Sequence, residues 1–426
     1  MKTLSLACPV QHGPRSAYVH LPFCHRRCFY CDFPVVPLGD RADGGRSASV
    51  AAYLQLLERE IRGAPAGPPL ATVYIGGGTP SLLTPAQISG VLAALRLRYG
   101  FAPGAEITLE LDPASFDQER LEGYLAGGVN RVSLGGQSFD DAVLVALGRR
   151  HGAADLRRAA GWLRQALGRG DLRSWSLDLI QGIPLSALPA GAAPPLEHWR
   201  AQLHQAIALG APHLSVYDLT IEPGTVFDRR LQQGLLPLPD ADLAADLHGL
   251  TWTELRAGGY GHYEISSYAW PGHASRHNRV YWSGAGWWGF GMGATSALQG
   301  DRQSRPRTRE AYRRWLEAGG VAAQLQPGAL QRPMPLDERL MVGLRRREGV
   351  HIERLRQEYG LTPALLDGLQ QELQSFIARG LLLVEGPRWR LADPEGLALS
   401  NAVLREMLGW WQEQGLAPQA GPVAVC

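Results

Sequence analysis

Residues Tyr18-Val-His-Leu-Pro-Phe-Cys24-His-Arg-Arg-Cys28-Phe-Tyr-Cys31-Asp-Phe33 place three cysteines at C-x3-C-x2-C spacing directly after a short apolar strand pattern. Thiolates are soft ligands that suit zinc or iron–sulfur clusters. Structural zinc closes its site with four tetrahedral ligands, and only three cysteines are grouped here. Cys8, His20 and His25 are the candidates for a fourth. A cubane cluster on three thiolates instead leaves one iron open to an exchangeable ligand.

Outward from this stretch, short β-like runs alternate with longer amphipathic ones. Strands are expected at Ala17–Leu21, Ala71–Ile75, Glu106–Leu111, Arg131–Leu134, Ser174–Ile180 and His213–Leu219. Helical spacing of apolar residues marks 49–62, 84–99, 117–127, 153–167 and 198–209. Such alternation argues a parallel sheet with crossover helices. Six repeats fit a partial barrel as well as an open sheet. Residues 36–48, 63–70 and 186–196 read as loops.

The composition shifts at Asp301–Arg314, where Arg302, Arg305, Arg307, Arg309, Arg313 and Arg314 crowd together. A solvated interdomain face is expected there, with a domain boundary near residue 300. Beyond it, helical patterns lead to a β-like pair, Leu381–Glu385 and Arg388–Leu391, and a last helix after Ser400. This tail suits a winged-helix-like module, yet it carries no basic stripe with base-reading residues, so no nucleic acid partner is expected.

A chain of 426 residues exceeds one small core. Its net charge of +2 sets up no field toward nucleic acid or membrane. Five cysteines, three within eight positions, do not form a disulfide framework, and a reducing, cytoplasmic location is expected. The N-terminal apolar run is shorter than a signal-peptide core, and no run approaches the roughly 18 apolar residues of a membrane span.

With Tyr30 directly before Cys31, the cysteine stretch resembles the signature of the radical S-adenosylmethionine (SAM) superfamily. Its flank, Tyr18 to Cys24, resembles the oxygen-independent coproporphyrinogen III oxidases and their haem-chaperone relatives, and the likeness runs to about Leu408. The resemblance implies an α/β fold: a radical-SAM partial (β/α)6 barrel over 1–300, followed by a mostly helical, winged-helix-like domain over 301–426. It implies a [4Fe–4S] cluster on Cys24, Cys28 and Cys31, with SAM on the open iron. It also implies SAM contacts at Tyr18, Tyr30, Gly77, Gly78, Thr79, Glu110, Gln137, Arg149 and Asp178.

The residue types agree with those roles. Glycines in Gly76-Gly-Gly78-Thr79-Pro80 let backbone approach a ligand, though a plain tight turn would use them too. Glu110 at a strand end can accept two hydroxyls of a ribose diol; taken alone, it is an exposed strand-end charge. Arg149 and Asp178 could equally serve a structural ion pair. Barrel active sites collect at strand C-termini, where these residues fall.

Two features separate the oxidase from its chaperone relatives. The oxidases carry a cysteine where this chain has Phe33. The chaperones carry the pattern read here as His277-Asn278-Arg-Val-Tyr281-Trp282, flanked by Tyr263-Glu-Ile-Ser-Ser-Tyr and Pro271-Gly-His-Ala-Ser-Arg. Imidazole is a strong haem-iron ligand, and aromatic rings offer flat faces to a macrocycle; a satisfied core histidine is the plain alternative. Thr295 stands where the relatives commonly show histidine, which leaves His273 or His277 as ligand. Trp287 and Trp288 add aromatic surface, and the arginines of 302–314 are a second, less favoured seat for haem propionates. The likeness thus implies haem, a haem-acceptor protein, a membrane protein among the acceptors, and an electron donor. The rival readings are oxidative decarboxylation of coproporphyrinogen III and a zinc-stabilised protein without redox chemistry.

Overall fold

The computed structural model describes residues 13–40, 42–189, 191–298, 300–324 and 334–414; Cys8 lies outside them. Strand β1 (Ser16–Leu21) is followed by a two-residue parallel pair, β2 (Phe23–Cys24) with β3 (Val36–Pro37). Then come α1 (Ala48–Gly63), β4 (Leu70–Gly77), α2 (Pro85–Tyr99), β5 (Phe101–Leu111), α3 (Gln118–Ala126) and β6 (Arg131–Gln137). The run continues with α4 (Asp141–Ala146), α5 (Ala153–Arg169), β7 (Ser174–Gln181), α6 (Pro195–Ala208), β8 (His213–Asp218), α7 (Val226–Gln232) and α8 (Ala241–Ala257).

β1, β4, β5, β6, β7 and β8 lie side by side in chain order, each parallel to the next. This is the partial (β/α)6 barrel. The antiparallel strands β9 (Gly261–Glu264) and β10 (Ser267–Ala269) extend it beyond β8. After α9 (Arg276–Ser283), β11 (Trp288–Phe290) joins parallel to β1 at the other edge. These added strands are too short for their periodicity to stand out in the sequence.

Local chemistry sets the helices. Thr84 and Gln87 form a capping box at the start of α2, whose first residue is Pro85; Gly100 ends it at φ 75°. Along the strands, alternate residues face outward into an apolar layer, as Val73 and Ile75, Leu109, Val132 and Leu134, and Leu177 and Leu179 do. Each such buried side chain contributes about 1.5–3 kcal/mol relative to exposure. The other face of each strand is polar.

A hairpin, β12 (Thr295–Leu298) with β13 (Asp301–Ser304), leads to α10 (Arg309–Glu317) and α11 (Gly320–Gln324). Tyr312, Leu316 and Val321 belong to the barrel's core. Arg305 departs from the expected solvated face. It is 2% exposed, with Nε 2.8 Å from Glu60, whose other oxygen accepts from Gly291 N–H at 2.7 Å and from the Tyr312 hydroxyl at 2.5 Å. Exposed arginines do occupy the rest of that segment, including Arg313 and Arg314. Trp287 and Trp288 are core residues rather than surface.

A second core unites α12 (Leu336–Leu344), α13 (Ile352–Tyr359), α14 (Pro363–Glu372), α15 (Gln374–Ala378), α16 (Glu395–Ala398) and α17 (Ser400–Glu413) with a small sheet. That sheet runs β14 (Val350–His351), β16 (Arg388–Leu391), β15 (Leu382–Glu385). It docks on the barrel edge through Arg347 N–H to Tyr263 O, Ile265 N–H to Arg345 O, and Asp393 to His262. Among the described residues, no helix is long and apolar enough to cross a membrane.

Candidate functional site

The cysteine loop hangs from β2. Cys24 is buried, Cys28 and Cys31 are half-buried, and all three are free thiols. Burial, then the neighbouring Cys31 and Cys28, push the Cys24 thiol up to about 12. Burial pushes Cys31 up to about 11, against a hydrogen bond from the Phe33 backbone. Thiols that oppose one another's ionisation in this way are arranged for a cation among them. Among the described residues, no three His, Cys, Asp or Glu side chains converge on one ion position. His20 withdraws as a fourth ligand: its Nδ1 meets the Tyr18 hydroxyl and its Nε2 the Pro34 carbonyl, each at 3.0 Å.

Arg149 ties the loop to the barrel. Its Nη2 donates to Asp112 at 2.7 Å and to Gly135 O at 3.0 Å, while Nη1 reaches Cys28 Sγ at 3.6 Å. Burial alone would raise the Asp112 carboxyl, but Arg149 and His151 outweigh it and hold it well below the carboxylate range. Tyr30 also lies against Arg149, its hydroxyl pushed up by burial. Gln137, at a register shift closing β6, is held at φ 63°, the one non-glycine residue with positive φ among those described. Its side-chain nitrogen lies beside Arg149, both within 3.4 Å of where a Cβ on Gly135 would stand.

The glycines after β4 serve the chain's own packing. A Cβ on Gly77, itself at φ +120°, would lie 2.7 Å from the His20 ring, and one on Gly78 would lie 2.5 Å from the Phe23 carbonyl oxygen. The N–H groups of Gly78 and Thr79 donate to Leu21 and Phe23. The turn thereby clamps the cysteine loop to the strand ends.

Strands that are otherwise buried show half-exposed residues at Tyr18, Tyr74, Glu110, Gly135, Gln137 and Asp178. They come one or two per strand from adjacent strands and outline a hollow on the barrel's inner face. Tyr74 donates to Glu110 Oε1 at 2.8 Å, and Gly77 N–H to Oε2 at 3.0 Å. Burial nonetheless raises the Glu110 carboxyl to about 7. Asp178 accepts from Ser133 at 2.7 Å through Oδ2, and Ser215 also bonds to its carboxylate. Deeper in, Thr108 Oγ1, two Arg131 nitrogens and His213 Nδ1 are buried and unpartnered. The Glu110 and Asp178 carboxylates are acceptors and the Arg131 nitrogens donors, a mixed set that fits a polar ligand.

α9 plugs the opposite end. Ser275 caps it, and His277 and Tyr281, four residues apart on one face, bond at 2.8 Å. His277 is fully buried. Its Nδ1 meets Thr72 at 2.8 Å, its ring stacks on Tyr74 at 5.3 Å, and its N–H donates to Glu106. Burial lowers it to about 3. Asn278 and Trp282 are half-buried, with Trp282 bonded to Glu264. His273 meets Ser174 at 3.0 Å, and Thr295 meets Ser304 across its hairpin. The cysteines and the residues of the hollow therefore gather at one end of the barrel, and the His277 motif sits at the other. Sequence reading missed Tyr74, Asp112 and His151. The inward alternation Thr72, Tyr74, Gly76 was the available signal for the first.

Comparison with known proteins identifies the family and the fold. The Radical SAM superfamily profile matches residues 18–184, and that of the HemN C-terminal domain matches 330–399. The chain is 38% identical to "Heme chaperone HemW" of Synechocystis sp., covering 94% of this chain and 98% of that one. It is 35% identical to "Radical S-adenosyl methionine domain-containing protein 1, mitochondrial" of Mus musculus, covering 98% and 92%. Among solved structures, coproporphyrinogen III oxidase (HemN) from Escherichia coli superposes with a TM-score of 0.74 over 93% of this chain and 90% of that one, at 23% identity, a likeness of fold. Built on that barrel and matched along nearly its whole length, the chain belongs to the HemW family of the radical SAM superfamily.

Proposed function

We propose that this chain is a haem chaperone: it binds haem and passes it to an acceptor protein, and it carries a [4Fe–4S] cluster with SAM. The observation that carries the reading is its 38% identity to a haem chaperone across 98% of that protein. Cys24, Cys28 and Cys31 hold the cluster, which, when bound, supplies an electron able to cleave SAM. The chain's residues do the rest. Glu110 and Asp178 accept from the ribose, and the Gly77–Thr79 turn and Gln137 border the methionine end. Tyr18 and Tyr30 wall the hollow, and Arg149 positions the Cys28 thiolate. The half-exposed carboxylates of Glu110 and Asp178 on neighbouring strands support this assignment.

The division near residue 300 into a cofactor-holding unit and a C-terminal unit belongs to the same reading. So do an electron donor and an acceptor that includes membrane proteins. His277, with Asn278, Tyr281 and Trp282, serves haem by shaping the barrel floor, since both its ring nitrogens are engaged. Phe33, half-exposed beside the cysteines, stands where the oxidases place a cysteine.

One reconstituted, anaerobic sample tests the proposal by haem titration and a coproporphyrinogen III decarboxylation assay in parallel. Stoichiometric haem binding, transfer to an apo-acceptor and negligible decarboxylation are expected. Substantial turnover without haem binding overturns it.

A further inference from the structure

We propose that His262 is the haem-iron ligand, seated in a cleft between the barrel edge and the C-terminal unit. This inference rests on the haem-chaperone reading. The cleft has a volume of about 910 Å³, at the upper end of the range of about 300–1,000 Å³ typical of small-molecule sites. It is large enough for a macrocycle.

His262 lies on β9 and lines this cleft. It is 7% exposed, and its ring stacks on Tyr268 at 4.3 Å and 10°. Its Nδ1 lies 2.7 Å from Asp393 Oδ1, and its Nε2 is buried with no partner. A carboxylate at that distance draws the proton to Nδ1, so Nε2 presents a lone pair. This is the pattern of a metal-binding imidazole, whose other nitrogen donates to a carboxylate that fixes tautomer and orientation. No other histidine singled out for haem offers it: both ring nitrogens of His277 are taken.

The walls suit the rest of the ligand. Tyr260 and Trp270, rings 5.4 Å apart, supply aromatic surface. Arg256, Arg347 and Arg388 stand on the lining against one carboxylate, Glu348. Glu348 already pairs with Arg279, and Arg256 and Arg347 have no carboxylate partner among the described residues. A planar, iron-bearing ring with two carboxylates matches the set, because guanidinium forks bind carboxylates bidentately. Asp393 comes from the C-terminal unit and His262 from the barrel, so the ligand is oriented only when the two units are docked.

The test uses the full chain with its cluster reconstituted and ferric haem as probe. The wild type is expected to show histidine-ligated haem by absorption and EPR. His262→Ala should lose that signature and weaken haem binding by about tenfold or more. Imidazole added to His262→Gly should restore it, which a merely structural role would not. Asp393→Asn should keep ligation but raise the haem midpoint potential, because imidazole loses an anionic partner. An unchanged spectrum and affinity in His262→Ala overturns the inference and leaves the chaperone reading intact; a wild type that binds no haem overturns both. If His262→Ala fails to fold, Asp393→Asn with an unshifted potential overturns the inference.

Discussion

The Tyr74 hydroxyl donates to Glu110 across 2.8 Å from a ring stacked on His277. One side chain therefore spans the distance between the strand-end hollow and the helix that plugs the barrel floor. Substitutions at either end are expected to be felt through it.

Glu110 makes the stability of the ligand-free protein depend on pH. Its carboxyl is raised by burial to about 7 from an ordinary value near 4.5. The folded state therefore holds a proton that the unfolded state has released, and stability falls as pH rises from the unfolded value to the folded one. The loss is at most about 3 kcal/mol, reduced because the side chain is half-exposed. Glu110→Gln removes the dependence. In urea unfolding, its stability relative to the wild type should rise between pH 5 and 8 and then level off.

Arg305→Ala should destabilise the barrel strongly. The change leaves the Glu60 carboxylate buried beside Tyr312 with its cation gone, a loss of about 3–5 kcal/mol. Replacing Glu60 and Arg305 together by leucine and methionine should restore only part of it, because the Gly291 N–H and the Tyr312 hydroxyl then lose their acceptor. Denaturant midpoints of the two variants and the wild type check both statements.

His277→Ala should act on the fold before it acts on haem. Removing the ring strips partners from Thr72 and Tyr281 and opens a void beneath Tyr74. A stability loss of about 2–4 kcal/mol is expected. Thermal unfolding of the apo-protein checks it.

Arg149→Lys should lower the reduction potential of the cluster. The guanidinium meets Cys28 Sγ at 3.6 Å while anchored on Asp112 and Gly135, and a lysine cannot keep all three contacts. Hydrogen bonds to cluster sulfurs favour the more negative reduced state. Anaerobic redox titration followed by EPR should show a more negative midpoint with cluster content unchanged.

The six parallel strands were legible because Val, Ile and Leu alternate with turn signals at regular intervals. The cysteine spacing, the strand-end position of Glu110 and the placement of Asp178 within its strand were legible for the same reason: a strand's parity and its end can be counted. What could not be counted was contact at long range. Nothing near Arg305 in sequence marks Glu60, 245 positions away, as its partner, so a buried ion pair read as surface charge. Gly77 and Gly78 read as room for a ligand, when the atoms they admit are His20 and Phe23 of the same chain. His277 looked like a free ligand because its partners, Thr72 and Tyr74, lie on a distant strand. His262 was passed over because Asp393 is 131 positions further on.

The barrel's polar lining bears on the lifetime of the protein. A hollow lined by Glu110, Asp178 and Arg131 is polar rather than a self-filled apolar core, and a ligand bound there adds to the margin of the fold against opening. A ligand present at 100 times its dissociation constant adds about 2.7 kcal/mol to that margin. Loading and survival are thus linked by mass action. Chains that have taken up their small molecules persist, and empty ones are the first that a protease meets open, so the pool at work is sorted toward the loaded form with no separate inspection step.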